Sequence, residues 1–160
     1  MTTLREYRPE DFDVLWQLDQ RCFEDGISYG EAELRHYLER SGSFTLVAEE
    51  GNKIIGFLVA DRDRRGFGHI ITIDVDPKFR RHGVGAALMK ATEDKLRDSG
   101  CKSVLLEAAV NNRAALAFYK AHGYSVLKTI PRYYLNSIDA LLMGKKIAAA
   151  TPVSTPAATR

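Results

Sequence analysis

The order of helices and strands in the sequence predicts an α/β or α+β domain in which helices flank a mixed sheet. Three observations lead to this fold class. Segments with apolar residues at helical spacing alternate with β-rich runs along the chain. Two of the β-rich runs flank Gly51 and Asn52, which is a hairpin signal. A strand, a helix and another strand lie between Gly68 and Val110, as in a crossover connection.

The first half of the chain predicts a strand, two helices and the hairpin. The first strand is TLREYR, and Asp11 or a neighbour is expected to cap the helix that follows. The apolar stripe of that helix, PEDFDVLWQLDQRCF, consists of Val14, Leu15, Leu18 and Cys22. The apolar side of the second helix, GEAELRHYLER, consists of Leu34, Tyr37 and Leu38. The hairpin arms are FTLVAEE and KIIGFLVADR.

The second half predicts strands and helices in alternation. Strand GHIITIDV leads to helix VGAALMKATEDKLRDSG, whose end at Ser99 and Gly100 suits a left-handed C-cap. Strand KSVLLEAAV leads to a short helix in NNRAALAFYKAHGY, with Gly123 as its stop. Two further strands lie near YSVLKTI and IDALLMGKKI. We expect one domain over residues 1–147 and a disordered tail over 148–160, because AAATPVSTPAATR has no hydrophobic pattern.

Composition and charge argue against nucleic acid and membranes as binding partners. The formal net charge is only +2, with basic and acidic residues interspersed, so no strong field favours nucleic acid. The N-terminus carries charges before any apolar run, and no window approaches the roughly 18 apolar residues of a membrane span. We therefore expect a cytoplasmic protein that binds neither membrane nor nucleic acid.

Cysteine and histidine spacing does not predict a metal site. Cys22 and Cys101 are far apart and outside any CxxC motif, so we expect two reduced thiols. His36, His69 and His122 lack the spacing of metal ligands and are interpreted as structural or exposed. No metal cofactor is expected.

The segment RRHGVGAALMKA, residues 80–91, joins a strand to a helix through two glycines. Backbone N–H groups at such a helix start have no intrahelical partner, and the helix dipole adds partial positive charge, so the loop fits an anion or a plain tight turn. The run GxxxxGK followed by Ser or Thr, which a mononucleotide loop needs, is absent. Leu88 stands where a dinucleotide fingerprint needs its third glycine. The pattern Arg-x-x-Gly-x-Gly after Val-Asp-Pro remains.

This pattern resembles the pyrophosphate loop of the GNAT superfamily of acetyl-CoA-dependent N-acetyltransferases. The resemblance extends over IDVDPKFRRHGVGAALM, LLEAAVNNRAALAFYKAHGY, and YY followed by DALLM. The sequence is most similar to the RimI-like branch, which acetylates the N-terminal alanine of a ribosomal protein. The resemblance covers residues 1–147 and is strongest from Ile70 to Tyr124. It implies the GNAT fold, with a mixed, mostly antiparallel sheet of six to seven strands, and acetyl-CoA as the acetyl donor.

The resemblance also assigns residues to the acetyl-CoA site. The strand before the loop would hold the pantetheine arm with its backbone, at Ile73, Asp74 and Val75. The loop would hold the pyrophosphate, at Arg80, Arg81, His82, Gly83, Val84 and Gly85. Asn112 matches an asparagine that contacts the cofactor, and it is also a candidate helix cap.

The catalytic and acceptor residues are assigned in the same way. Glu107 matches a general base, which the chemistry needs because an α-amine of pKa about 8 is mostly protonated at neutral pH. Tyr119 matches a general acid that protonates the departing thiolate. Tyr133 and Tyr134 match a tyrosine pair near the acceptor peptide. The branch commonly has Glu-Val-Arg where this chain has Glu107-Ala108-Ala109, which leaves the acceptor open.

The implied reaction is direct attack of a primary amine, foremost a protein or peptide N-terminal α-amine, on acetyl-CoA in a ternary complex. Neither cysteine has a partner that would activate it as a nucleophile. Acetylation of a small amine such as a polyamine or an aminoglycoside competes with this interpretation, because fold does not fix substrate. A non-catalytic acyl-CoA-binding module and a nucleic-acid binder using KFRRH and RDRR are also compatible with parts of the sequence. The oligomeric state is left open.

Overall fold

A computed structural model describes residues 1–23, 27–135 and 137–147. The described residues form seven strands: β1 (Thr2–Glu6), β2 (Ser43–Glu50), β3 (Lys53–Arg62), β4 (Phe67–Val75), β5 (Ser103–Ala109), β6 (Ser125–Tyr134) and β7 (Ile138–Lys146). They also form four α-helices: α1 (Phe12–Cys22), α2 (Glu31–Glu39), α3 (Val84–Asp98) and α4 (Arg113–Ala121). None of these helices has the length and apolar character needed to cross a membrane. The tail predicted to be disordered, 148–160, lies outside the described residues.

The seven strands form one sheet in the order β1-β2-β3-β4-β5-β7-β6. Every neighbouring pair is antiparallel except β4 and β5, which confirms the mixed, mostly antiparallel sheet. The parallel pairing of β4 with β5 joins only Phe67–His69 to Ser103–Leu105. Beyond His69 and Leu105 the two strands part, and we call the opening between them the β4–β5 cleft.

Helices cover both faces of the sheet. On one face α3 buries Leu88, Met89 and Leu96 in the larger core cluster, which also includes Tyr119 of α4. On the other face α1 and α2 form a second cluster over β2 and β3, in which the predicted Leu34 and Leu38 are buried. Burying one leucine side chain is worth roughly 1.5–3 kcal/mol, so each helix is held mainly by its apolar side.

The start of α1 differs from the sequence prediction. Val14 is 45% exposed, whereas Phe12 is 2% exposed and packs in the second cluster, so Val14 does not belong to the buried stripe. Asp11 occupies the N-cap position, but its carboxylate does not bond to the helix. It accepts hydrogen bonds from the Arg5 guanidinium at 2.8 and 2.9 Å and from the Arg8 backbone N–H at 2.8 Å. An ion pair with β1 has therefore taken the place of the expected cap.

A β-bulge in β4 decides which side chains face the cleft. Val59 of β3 pairs with Thr72 and Ala60 pairs with Ile70, so Ile71 is the extra residue. Such an insertion reverses the alternation of side chains beyond it. Ile70 and Ile73 consequently both contact the larger cluster although they are three residues apart. The Tyr29 hydroxyl donates to the Ile71 carbonyl at 3.2 Å and so ties the bulge to the α1–α2 connection.

Candidate active site

A cavity of about 830 Å³ lies in the β4–β5 cleft, and we call it the main cavity. It extends from the loop before α3, across both strands, to the end of α1 and the connection that follows α1. Backbone and side chains of the parted strands form its middle, and the first turn of α4 forms one wall. The parting of β4 and β5 thus places one continuous space between the glycine loop and Glu107.

The glycine loop forms one end of the main cavity. Gly83 is the N-cap of α3 at φ 83°, a left-handed conformation that a residue without a Cβ adopts at little cost. The Ala87 N–H donates to the Gly83 carbonyl at 3.0 Å, and the N–H groups before Ala87 have no intrahelical partner. Arg80 and Arg81 line the same end of the cavity. The loop therefore supplies backbone donors, a helix dipole and two guanidinium groups to an anion.

Not every residue of the predicted loop lines the cavity. Gly85 does, and a Cβ there would lie 3.1 Å from the Phe118 ring, so glycine lets α3 approach α4. Val84 is 2% exposed and packs into the core, and His82 is exposed with its ring nearly perpendicular to the Phe79 ring. Side chains at Val84 and His82 therefore contribute nothing to the cavity wall, and a role for them rests on their backbone N–H groups.

The predicted pantetheine strand lines the cavity with Ile73 and Val75 but not with the Asp74 side chain. Because of the bulge, the Asp74 carboxyl is buried toward α1 and accepts a hydrogen bond from the Thr72 hydroxyl at 2.6 Å. The Val75 carbonyl accepts hydrogen bonds from Arg80 Nε at 3.1 Å and from the Cys22 thiol at 3.4 Å.

Two carboxyl groups meet beneath this strand. Asp19 of α1 and Asp74 are both buried, and the Asp19 carboxylate accepts a hydrogen bond from the Tyr29 N–H at 2.7 Å. Burial, together with the hydrogen bond and charge of Asp19, holds the pKa of Asp74 well above its ordinary value. Burial also raises the pKa of Cys22 to about 11, so its thiol stays protonated at neutral pH. The expectation that Cys22 is not a nucleophile agrees with this environment.

Glu107 lies on β5 where the cleft begins, and its carboxylate has a partner that the sequence interpretation missed. Its Oε1 lies 2.8 Å from Nε2 of His69 on β4. His69 was interpreted as structural or exposed, and the contact adds a partner at the candidate base that this interpretation did not include. Burial alone would lower the pKa of His69, but the hydrogen bond and charge of Glu107 raise it above its ordinary value. The sequence shows only a histidine near the start of strand GHIITIDV and a glutamate in strand KSVLLEAAV, and neither run indicates that the two are paired.

Tyr119 and Asn112 line the main cavity from α4. Tyr119 is 8% exposed, and burial raises the pKa of its phenol, so the hydroxyl is protonated throughout the neutral range. The Asn112 side-chain oxygen accepts a hydrogen bond from the Ala115 N–H at 3.1 Å, so it caps α4 while it lines the cavity. The two roles considered for Asn112 are compatible in this geometry.

The far end of the main cavity is aromatic and apolar. Tyr134 lines it, whereas Tyr133 is 48% exposed and contacts Tyr134 edge-on at 4.8 Å between ring centroids. Tyr29 and Ile71 complete this wall and were not among the predicted site residues. Tyr29 lies far from the motifs in sequence, so no local pattern marked it, whereas Ile71 lies only two residues before Ile73 and is the extra residue of the β4 bulge. Among the described residues no group of three or more His, Cys, Asp or Glu side chains is placed to hold a metal ion.

The fold and the site together define a class of protein. A mixed sheet whose central parallel strands part, with a backbone anion cradle at one mouth of the cleft and a carboxylate at its apex, suits an acyl-CoA-dependent N-acyltransferase. The cradle fits a pyrophosphate because its donors are backbone N–H groups freed by a left-handed glycine. The chain belongs to the acetyltransferase (GNAT) family, whose model matches residues 12–124. Its chemistry is acetyl-CoA-dependent N-acetylation, as the resemblance implied.

Comparisons with individual proteins agree with the family. The chain is 28% identical over 144 residues to N-alpha-acetyltransferase 30 of Schizosaccharomyces pombe, a match that covers 88% of this chain and 95% of the relative. The Ard1 structure from Thermoplasma volcanium superposes with a TM-score of 0.83 at 30% identity, covering 92% of this chain and 98% of that one. The ribosomal-protein-S18-alanine N-acetyltransferase from Escherichia coli shares the fold, with a TM-score of 0.83 at 22% identity and coverage of 97% and 99%.

Proposed function

We propose that this enzyme acetylates the N-terminal α-amine of a protein or peptide by direct attack on acetyl-CoA in a ternary complex. The position of Glu107 carries the proposal. Glu107 lines the main cavity at the apex of the β4–β5 cleft, its side chain lies on the opposite side of the sheet from the α3 core, and the glycine loop lies at the other end of the cavity. An amine that approaches from the α1–α2 face therefore meets a proton acceptor at the point where the acetyl group would be delivered.

Two further observations support an α-amine as the acceptor. The relatives that cover most of this chain include an N-alpha-acetyltransferase, and one of the structurally similar proteins acts on a ribosomal-protein alanine. The apolar wall formed by Tyr29, Ile71 and Tyr134 suits the first side chain of a peptide better than a polycationic amine, which would need several acidic partners. The RimI-like branch commonly has an arginine at the position of Ala109, so its absence here leaves open which residue comes first in the acceptor peptide.

In the proposed reaction, two side chains of the protein transfer protons: Glu107 accepts one and Tyr119 donates one. Acetyl-CoA supplies an acetyl thioester activated toward nucleophiles. Glu107 accepts a proton from the ammonium form of the amine, so that the nitrogen gains the lone pair needed to attack. Tyr119 donates its hydroxyl proton to the sulfur as the carbon–sulfur bond breaks. As the amide forms, the nitrogen gives up a second proton, which balances the proton that Tyr119 gave to sulfur and restores its hydroxyl. The N-acetyl amide then leaves with one proton on its nitrogen, CoA leaves as the thiol, and Glu107 returns its proton to water.

The test is a thiol-release assay with acetyl-CoA and matched acceptors. One peptide set varies the first residue with a free α-amine, and an otherwise identical set carries a blocked α-amine and one internal lysine. Spermidine and an aminoglycoside form the small-molecule arm. We expect release with the free α-amine set alone, and mass spectrometry should place the acetyl group on the first residue. Turnover confined to spermidine, the aminoglycoside or the blocked lysine peptides would refute the proposed acceptor.

A further inference from the structure

We propose that Asp139 is a positioning residue of the acceptor site. Its carboxylate holds the backbone of Arg132 in a left-handed conformation, and this conformation directs two neighbouring rings, those of Tyr133 and Tyr134, toward the acceptor. Asp139 does not line the main cavity, so it acts through the backbone of β6 and not on the substrate. The inference rests on the proposed function, because it takes the tyrosine pair as part of the wall that the acceptor peptide meets.

Tyr133 and Tyr134 are consecutive residues of one strand, yet their rings lie together. Neighbouring side chains of a regular strand point to opposite faces of the sheet. Here the two ring centroids are 4.8 Å apart and the rings are 82° from coplanar. Both phenols also lie near the Glu107 carboxylate: partial burial raises the pKa of each tyrosine, and the charge of Glu107 raises it further. The regular alternation of side chains is therefore broken at this pair.

The break originates in the pairing of β6 with β7. Two ladder pairs bound the irregularity: Ile130 with Ala140, and Tyr134 with Ile138. Between these pairs, residues 131–133 of β6 lie opposite Asp139 alone. We call residues 131–133 the β6 bulge. Extra residues in one strand of a pair bend that strand and redirect its side chains, so the bulge accounts for the placement of both rings on one side.

The β6 bulge requires an unfavourable backbone conformation at Arg132. Its φ is 52°, in the left-handed region that residues with a Cβ adopt only at a cost. Among the described strands β6 is the edge of the sheet and pairs with β7 alone, so no second strand fixes this conformation. Pro131, which has no N–H to give to a ladder, suits the same interruption. A contact from outside the strand ladder must therefore hold Arg132 in place.

Asp139 supplies that contact. Its Oδ1 accepts a hydrogen bond from the Arg132 N–H at 2.9 Å. Its backbone carbonyl accepts another from the Val110 N–H at 3.0 Å, just beyond the end of β5. Within the described part of the chain, the bond from Arg132 is the one hydrogen bond of the Asp139 side chain, so a substitution there changes a single contact. Asp139 thus links the strand that carries Glu107 to the bulge that orients the tyrosines.

The first test removes or retains the acceptor oxygen. Asp139→Ala removes it, whereas Asp139→Asn keeps an oxygen in the same place and loses only the charge. In thiol-release assays with the free α-amine peptide that the wild type acetylates best, Asp139→Ala should raise the KM for peptide about 10-fold, because only a fraction of the molecules then present the tyrosines correctly. The kcat at saturating peptide and the KM for acetyl-CoA should stay unchanged. Asp139→Asn should keep the wild-type KM for peptide within about twofold.

The second test removes the conformational cost instead of the contact. Glycine adopts positive φ as readily as negative φ, so Arg132→Gly added to Asp139→Ala should lower the KM for peptide about 5-fold from that of Asp139→Ala alone. Arg132→Ala in the same background is the matched control, because it also removes the guanidinium group but keeps a Cβ. It should restore nothing. Equal KM values for peptide in the two double variants would overturn the proposal.

An NMR measurement tests the positioning without turnover. The wild type and Asp139→Asn should show nuclear Overhauser effects between the rings of Tyr133 and Tyr134, and Asp139→Ala should lose them. In a folded Asp139→Ala, either a wild-type KM for peptide or retention of these ring contacts would refute the proposal. A defect in Asp139→Asn as large as that in Asp139→Ala would refute it as well, because the acceptor oxygen would then not be the cause.

Two failures have separate answers. If Asp139→Ala did not fold, Arg132→Val would replace it, since this β-branched residue disfavours positive φ and Arg132 is exposed. It should raise the KM for peptide in the same way, and an unchanged KM would refute the proposal. If the wild type acetylated no α-amine peptide, the proposed function would fail, and the NMR comparison would still decide whether Asp139 holds the tyrosine pair.

Discussion

Replacement of Tyr119 by phenylalanine isolates the proposed general acid. The change removes one oxygen from a side chain that lines the main cavity and is 8% exposed. Within the described part of the chain the hydroxyl makes no hydrogen bond to protein, so its loss should cost little folding free energy. Loss of a general acid usually slows a reaction about 10²- to 10⁴-fold, which is about 2.7–5.4 kcal/mol of transition-state stabilisation.

The assay is thiol release under saturating acetyl-CoA and acceptor, together with calorimetric binding of acetyl-CoA. We expect kcat to fall by that factor while acetyl-CoA affinity stays the same. The raised pKa of Tyr119 means that the acid stays protonated at neutral pH, so the effect should not vary between about pH 6 and 9. A kcat within about twofold of wild type would remove Tyr119 from the mechanism.

Tyr124→Phe is the matched control for this experiment. Its hydroxyl is also buried but donates to Glu93 Oε2 at 2.7 Å, away from the main cavity. The two tyrosine rings pack at 6.2 Å between centroids, so both changes remove a hydroxyl from one aromatic cluster. Because a buried acceptor loses a donor, Tyr124→Phe should cost about 1–3 kcal/mol of stability and leave kcat unchanged. If kcat fell in Tyr124→Phe as well, the loss of packing in the aromatic cluster, and not the loss of a proton donor, would explain the effect at Tyr119.

Two further predictions concern the loop and the buried carboxyl pair. Gly83→Trp should abolish acetyl-CoA binding while the protein stays folded, with a cost of about 1–2 kcal/mol for the left-handed φ; normal binding in calorimetry would contradict the loop assignment. Asp74→Asn should raise Tm at about pH 8. The folded-state pKa of Asp74 is raised, so the wild type loses stability as pH increases from the unfolded pKa of about 3.9 through the folded value, and asparagine does not titrate. A gain of ~1 kcal/mol would move Tm by about 2–4 °C in a domain of this size, and the gain should vanish toward about pH 4; a lower Tm near pH 8 would contradict the assigned cause.

Much of the site could be predicted because it is local in sequence. The loop from Arg80 to Gly85 is one continuous segment, and its left-handed glycine and helix start follow from the residues themselves. Asn112 as the cap of α4 follows equally from the residue type. These features depend on backbone conformation within a few residues, which the sequence constrains directly.

The errors occurred where distant segments compete. At Asp11 a cap was expected, but Arg5 of the neighbouring strand binds the carboxylate instead. On α1 the helical period placed Leu15 and Leu18 correctly on the buried side, but it misplaced Val14, and the aromatic Phe12 is buried instead. Local propensity sets the presence of the helix, but packing against β3 sets its rotation.

The amino-acid sequence alone established the order of elements, the glycine cradle and the membership of an acetyl-CoA-dependent family, because these depend on short contiguous patterns. The tertiary structure determines which titratable side chains come together in the site. His69 and Glu107 are 38 residues apart, and only the parallel register of β4 and β5 brings them within 2.8 Å. One inserted residue, Ile71, turns the Asp74 carboxyl away from the cleft and Ile73 toward it. Strand register and bulges are set by long-range pairing, which no single segment encodes.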